Sequence, residues 1–396
     1  MSRIRKKLYV FHTESIYPRG GEKYIFELFR RLSHTYHITI FFHKISKEWL
    51  HRYKKENITI DRLWRPKRFY WALIPLTLFV NFFRLRRFIN KNDVVYATNF
   101  PLNALAVLLS NKTICHCFEP LSFFYDKTYI SSLPLFSRFC VSIAKLLYSY
   151  FDKFAIRKAT ILVTLNNTVE HHIIVAYRRK ADTFVPNGVD TVFFSPSASP
   201  LYKKEKKEFT IGHSTDYAIY KDTDTFLTSI ALLQKKLHRL RVYITESILD
   251  QKEKKRYLSF LENHKLGRVI RFVGSLSEKN MPRFYNSLDV FCYTGSSKSA
   301  GGSTASLSAL EAQACGIPVI RNTGNSEEII DKITGFYTDA NKPTAVARSL
   351  LDFHNLSPIV RRRISKQARK HVIKNFSWDT SARVLEKLIL QLSTPT

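Results

Sequence analysis

Glu311 stands where a carboxylate is expensive. Residues 304–315 are helix-compatible and are stopped by Gly316 and Pro318, and Leu307, Leu310, Glu311 and Ala314 fall at helical spacing on one face. A carboxylate inside such an apolar stripe is costly to bury unless donors satisfy it. A diol, such as the 2′ and 3′ hydroxyls of a ribose, offers one donor to each of its oxygens. Just ahead, Ser303 and Thr304 open the helix, and its unpaired amides and positive dipole end suit a phosphate. Together these residues suggest a bound nucleotide; a capping loop with a glutamate at the edge of the core accounts for them as well.

The flanking residues supply the elements that would position such a site. Residues 289–293 are a short β-rich apolar run, 295–303 carry Gly/Ser turn chemistry, and Val319-Ile320 returns as a strand. Further strands are expected at 8–12, 38–43, 58–61, 93–98, 113–117 and 160–165, then at 209–213, 241–245 and 269–273, with helical stretches between them. That alternation marks an α/β fold with doubly wound parallel sheets, in which ligands lie beyond the carboxyl ends of the strands. A length of 396 residues suggests two or three domains, and the Pro/Ser-rich, then Lys-rich segment 195–208 reads as an exposed linker.

The run Ser308-Ala-Leu-Glu-Ala-Gln-Ala-Cys-Gly-Ile-Pro-Val-Ile320, with residues 324–330 and Gly335-Phe336 after it, resembles the donor-site signature of the retaining family 4 glycosyltransferases of GT-B fold. In that signature a second Glu, matched by Glu311, holds the nucleotide ribose, and a first Glu helps hold the donor sugar. Ser303 stands where the first Glu falls. Thr304 and Ser306 stand where glycines are expected, with Gly301-Gly302 slightly upstream. The resemblance therefore implies nucleotide binding by Ser303, Thr304, Ala305, Ser306, Leu307 and Glu311, with the sugar contact at Ser303 a departure.

Weaker matches extend it over nearly the whole chain. Gly20-Gly21, in a glycine turn between the first strand and its helix, resembles the family's N-terminal loop near the donor phosphates, and an ordinary tight turn reads the same way. His116, at a strand end with Glu119 and Pro120 behind it, resembles a histidine loop that contacts donor sugar or acceptor; a satisfied structural histidine is equally compatible. Lys221, before a helix, matches the lysine of a basic pair that neutralises the donor pyrophosphate. The altered spacing at 216–220 leaves His213 as the candidate for its arginine. Gly274-Ser275 matches the backbone that touches the nucleobase. The implied architecture is two Rossmann-like domains facing a central cleft: 1–194 on the acceptor side, 195–376 on the nucleotide-sugar side, and a helix at 377–396 crossing back.

Composition narrows the partners. Lys+Arg 63 against Asp+Glu 32 gives a net charge of +31, spread along the chain, so the partner should be anionic: phosphorylated substrates, an anionic membrane face or nucleic acid. No RNP, zinc-finger or helix-turn-helix pattern supports nucleic acid as that partner. Five cysteines without paired CxxC spacing read as reduced core residues of a cytoplasmic protein, and the N-terminus lacks a signal-peptide pattern. Residues 69–89 and 130–158 combine aromatic and basic side chains; either they lie against a membrane face, or their apolar sides pack on the sheet.

The expected activity is transfer of a sugar from a nucleotide-diphosphate donor to an acceptor hydroxyl, a lipid-linked glycan or cell-surface polysaccharide precursor, with retention of configuration and without a metal or other cofactor. Lys221, the helix end at 304–307 and the Gly20-Gly21 amides would stabilise the leaving group, and His116 would act at the reacting centre. The alternative is an inactive relative that binds nucleotide or lipid as a partner protein.

Overall fold

The computed structural model describes residues 5–16, 20–247, 250–295, 306–322 and 327–394. The chain divides into two units, Met1–Pro186 with Trp378–Thr396, and Asn187–Ser377. The first division falls ahead of the linker expected near residue 195, and the last helix belongs to unit 1.

Unit 1 is built on seven parallel strands: β1 (Lys6–Ser15), β2 (Tyr36–Ile45), β3 (Thr59–Arg62), β4 (Val94–Ala97), β5 (Lys112–His116), β6 (Ile161–Thr164) and β7 (Thr183–Phe184), in the order β3-β2-β1-β4-β5-β6-β7. β1 lies inside the sheet, between β2 and β4, where Leu8, Val10 and Phe11 are apolar on both faces and fully buried, as a strand covered on both sides requires. Helices α1 (Gly20–Leu32), α2 (Lys47–Lys55), α3 (Ile74–Leu85), α4 (Leu102–Leu109), α5 (Ser122–Tyr125), α6 (Lys127–Ser132), α7 (Leu135–Lys158) and α8 (Asn167–Tyr177) connect the strands.

Unit 2 repeats the plan with β8 (Phe209–Thr215), β9 (Leu240–Glu246), β10 (Ile270–Gly274), β11 (Val290–Tyr293), β12 (Val319–Asn322) and β13 (Gly335–Thr338), ordered β10-β9-β8-β11-β12-β13 and again parallel. Its described helices are α9 (Thr223–Gln234), α10 (Gln251–Asn263), α11 (Met281–Tyr285), α12 (Leu307–Ala314), α13 (Pro343–Asn355) and α14 (Pro358–Asn375). The final helix, α15 (Trp378–Ser393), returns to unit 1. In both units the direction of winding reverses beside the first strand, between β1 and β4 and between β8 and β11, where ligands of doubly wound sheets bind.

The expected α/β architecture of two Rossmann-like, doubly wound units is thus the observed one. Residues 343–375 form two helices, broken at Leu356-Ser357, where Ser357 caps α14 ahead of Pro358. Two local readings change. Gly20 and Gly21 do not make a turn: they form the first turn of α1, where Tyr24, Ile25, Leu28 and Phe29 bury the inner face and draw the helix forward over the glycines. Cys140 is no core residue: it is exposed on α7, while Cys115, Cys117, Cys292 and Cys315 are buried.

Candidate functional site

In unit 2, α12 starts at Ser306, whose side chain accepts the Ala309 amide as an N-cap. Leu310 and Ala314 are fully buried, and Glu311 between them is 7% exposed. The carboxylate is satisfied in part by the hydroxyl of buried Tyr285, which donates to Oε2 at 3.0 Å. Ser214 Oγ donates to Ser308 Oγ at 3.4 Å, tying the end of β8 to α12. Ser303, Thr304 and Ala305 lie outside the described residues, so Ser306 and Leu307 represent the helix end here.

Lys221 follows β8, and Thr294 just beyond β11 holds it in place: the Thr294 hydroxyl sits 3.1 Å from the Lys221 carbonyl and 3.0 Å from that of Asp222. The Lys221 ammonium lies 5.1 Å from the Tyr293 ring centre. Burial works against its charge, but Tyr293 and Asp216 outweigh that and hold its pKa above the ordinary value. A half-buried, firmly charged cation at the switch point can hold a phosphate.

His213 cannot supply the second cation. It is fully buried, with Nδ1 2.8 Å from the Cys292 carbonyl, Nε2 3.3 Å from Thr223 Oγ1 and its ring stacked 4.2 Å from Phe226. Burial lowers its pKa to about 4, so it is neutral. The second cation at Tyr293 is Arg321 on β12, 5.5 Å from the ring centre, yet it is 3% exposed and ion-paired to Glu328, itself 1% exposed. Burial pushes Glu328 up to about 7, while Arg321 draws it down.

Gly274 ends β10 at φ +73°, a conformation that suits glycine, and Ser275 beyond it is exposed. The Gly274 amide is already engaged, donating to Glu246 Oε2 at 3.0 Å. Glu246, 2% exposed, also accepts Tyr217 Oη and pairs with Lys254 at 2.9 Å. It therefore joins the loop carrying Lys221 to the loop carrying Ser275.

In unit 1, His116 is at the end of β5 as expected, but fully buried: Nδ1 lies 2.8 Å from Tyr96 Oη, and the rings of Phe118 and Tyr24 stand 4.4 and 5.1 Å away. Burial lowers its pKa to about 3, which makes it a neutral imidazole at ordinary pH. Glu119 behind it is raised to about 7, first by burial and then by Asp126, so the group that titrates near neutrality at this strand end is the carboxyl. A Cβ built on Gly21 would meet nothing within 4 Å, which leaves the start of α1 open.

Sequence reasoning missed Tyr293, Thr294, Glu246 and the Arg321–Glu328 pair. A signal was present for two of them: Arg321 and Glu246 are charged residues in the last positions of otherwise apolar strands, where burial forces a partner.

Residues 197–371 match the model of the family described as glycosyl transferases group 1. A D-inositol 3-phosphate glycosyltransferase of Salinispora tropica is 33% identical over 120 residues, 29% of this chain and 23% of its own length. The chain thus matches about a quarter of the length of that curated relative. Among solved structures, a glycosyltransferase from Rickettsia africae superposes with a TM-score of 0.74 at 17% identity, covering 99% of this chain and 100% of its own. Anabaena HepE in complex with UDP and glucose gives a TM-score of 0.73 at 12% identity, covering 98% and 100%. At those identities the likeness shows the fold, and the fold is GT-B.

Proposed function

We propose that this chain, whose residues 197–371 match the family described as glycosyl transferases group 1, moves a sugar from a nucleotide-diphosphate donor to an acceptor hydroxyl, with retention of configuration and without a metal. The observation that carries this reading is in unit 2: a buried carboxylate, Glu311, and a half-buried cation, Lys221, stand on elements tied together at the carboxyl edge of one sheet.

Each residue then has a task. Glu311 accepts the ribose hydroxyls, and the exposed backbone at Ser275 faces the base. Negative charge grows on the pyrophosphate as the glycosidic bond breaks, and Lys221 with the α12 end at Ser306-Leu307 stabilises it. The UDP named with HepE supports a nucleoside diphosphate as the donor carrier. The phosphate in the name of the Salinispora relative, together with the charge of +31 here, supports an anionic acceptor, a lipid-linked glycan or cell-surface polysaccharide precursor at the cytoplasmic membrane face.

The test is a calorimetric screen of the protein against UDP, GDP, ADP and CMP and their sugars, with Glu311→Ala as control. One diphosphate should bind and lose affinity in the variant. Binding of none would overturn the reading, and binding without turnover across donors and acceptors would make the chain a nucleotide- or lipid-binding partner protein.

A further inference from the structure

Unit 1 carries an apolar surface that its own core does not cover. On α7, Leu135 is 81% exposed, Phe136 78%, Phe139 64%, Leu146 82% and Tyr150 72%. These side chains recur at helical spacing along one outward stripe roughly 23 Å long. The opposite face packs inward through Tyr148, Asp152, Ala155 and Ile156. Beside it, Phe69 and Phe79 are 79% and 60% exposed around α3. The two helices adjoin, since Tyr148 Oη donates to the Ala72 carbonyl at 3.3 Å and Ile74 shares a buried cluster with Tyr148. Soluble monomers rarely leave a contiguous apolar face this large uncovered.

The charge around the face has one sign. The only acidic residue in 135–158 is Asp152, which is 1% exposed and faces inward, and residues 69–89 contain none. Lys145, Arg157 and Lys158 are exposed on α7, and Arg86 stacks on Phe82 and Phe83 at the end of α3. A second copy of this chain would oppose lysine with lysine. Among the described residues no helix is long and apolar enough to cross a membrane. A helix with an apolar stripe and a cationic border instead lies in the interface of an anionic bilayer, its rings among the acyl chains and its ammonium groups at the headgroup phosphates.

We propose that the outward face of α7, extended by the aromatic residues of α3, is the surface by which this chain docks on an anionic lipid bilayer. This extends the transferase reading to the place where a lipid-linked acceptor would be met. The docking itself needs neither donor nor turnover.

Cys140, the exposed cysteine on α7, lets the face report on itself. The full chain, labelled there with an environment-sensitive fluorophore, is mixed with vesicles of equal parts phosphatidylglycerol and phosphatidylcholine, or of phosphatidylcholine alone, and bound protein is separated by flotation. The label should shift to the blue, and the protein should float, with the anionic vesicles only. Phe139→Glu with Leu146→Glu, and separately Lys145→Glu with Lys158→Glu, should each weaken partitioning by about tenfold or more, with thermal midpoints unchanged because all four positions point outward. No shift on anionic vesicles would overturn the proposal, as would partitioning that ignores both variants. A label already shielded in lipid-free protein that sediments as a dimer would assign the face to a second copy. Either failure leaves nucleotide binding by unit 2 untouched, and failure of nucleotide binding leaves the flotation result standing.

Discussion

The two units share one strand order and differ at its carboxyl edge. In unit 2 that edge presents Lys221 against Tyr293, with Arg321 behind the same ring, and the neighbouring helix offers a carboxylate in Glu311. In unit 1 it presents His12 and His116, both buried and neutral, with Arg65 compensated by Glu14 at 2.8 Å and Glu119 titrating near neutrality. Since the backbone plan is common, the chemistry is decided by the last residue or two of each strand and the loop that follows. One edge suits a polyanion; the other suits a neutral hydroxyl and a proton.

The sharpest way to break that comparison is at the two cations on Tyr293. Lys221 is half-buried and its partners are polarisable, so Lys221→Ala should lower turnover by roughly 100- to 1,000-fold while leaving the thermal midpoint near wild type. Arg321 is sealed against Glu328, so Arg321→Met should do the reverse: a loss of about 3–5 kcal/mol of stability from an unpaired buried carboxylate. Kinetics and calorimetry on the two variants read both. A Lys221→Ala protein that turns over donor as fast as wild type would remove unit 2's edge from the catalytic scheme.

Glu246 sharpens the comparison from inside unit 2. It receives the Gly274 amide, Tyr217 and Lys254 at once, and so fixes two loops that bear on the donor. Glu246→Gln keeps the shape but weakens the charge-assisted bonds, and should raise the donor KM by about tenfold with kcat little changed. A fall in kcat with KM unchanged would show that it serves the chemistry and not the seat of the base.

Why the fold was legible and the site only partly so follows from the same residues. Buried parallel strands are near-continuous apolar runs, and those at 8–11 and 290–293 declare themselves in any reading of the chain. Glu311 was legible because a lone carboxylate in an apolar stripe is anomalous. His116 and His213 misled because sequence shows a polar ring at a strand end and not the aromatic packing that buries it, here by Tyr24, Phe118 and Phe226. Glu246 gave no sign of its partners, since Gly274 and Lys254 come from elements that only the sheet brings together.

Acid titration separates the units by a smaller effect. Glu119 in unit 1 and Glu328 in unit 2 both sit at about 7, raised by burial from an ordinary 4.5. A raised carboxyl keeps its proton longer in the native state, so its contribution is fully present below about pH 4.5 and is lost as pH rises through about 7. Glu119→Gln should therefore flatten the fall in unfolding free energy between about pH 5 and 7.5 by an amount on the order of 1–2 kcal/mol. A Glu119→Gln protein that kept the full wild-type fall over this range would show that Glu119 does not titrate there.

The mildest perturbation is covalent. Of the five cysteines, Cys140 alone is exposed, and it lies on the uncovered face of α7; Cys115 and Cys315 are pushed up to about 12 by burial, and burial also raises Cys117 and Cys292 well above the ordinary thiol value. Because the thiolate is the nucleophile, a maleimide should modify one site per native chain and the remaining four only after denaturation. Mass spectrometry of the labelled protein reads the number directly. The adduct should leave Tm and nucleotide binding unchanged, since α7 lies in unit 1 and Glu311 and Lys221 lie in unit 2. Fast labelling of Cys115 or Cys117, located by peptide mapping, would show that the unit 1 core around them opens in the native state, and that its neutral edge is less firmly built than the charged edge of unit 2.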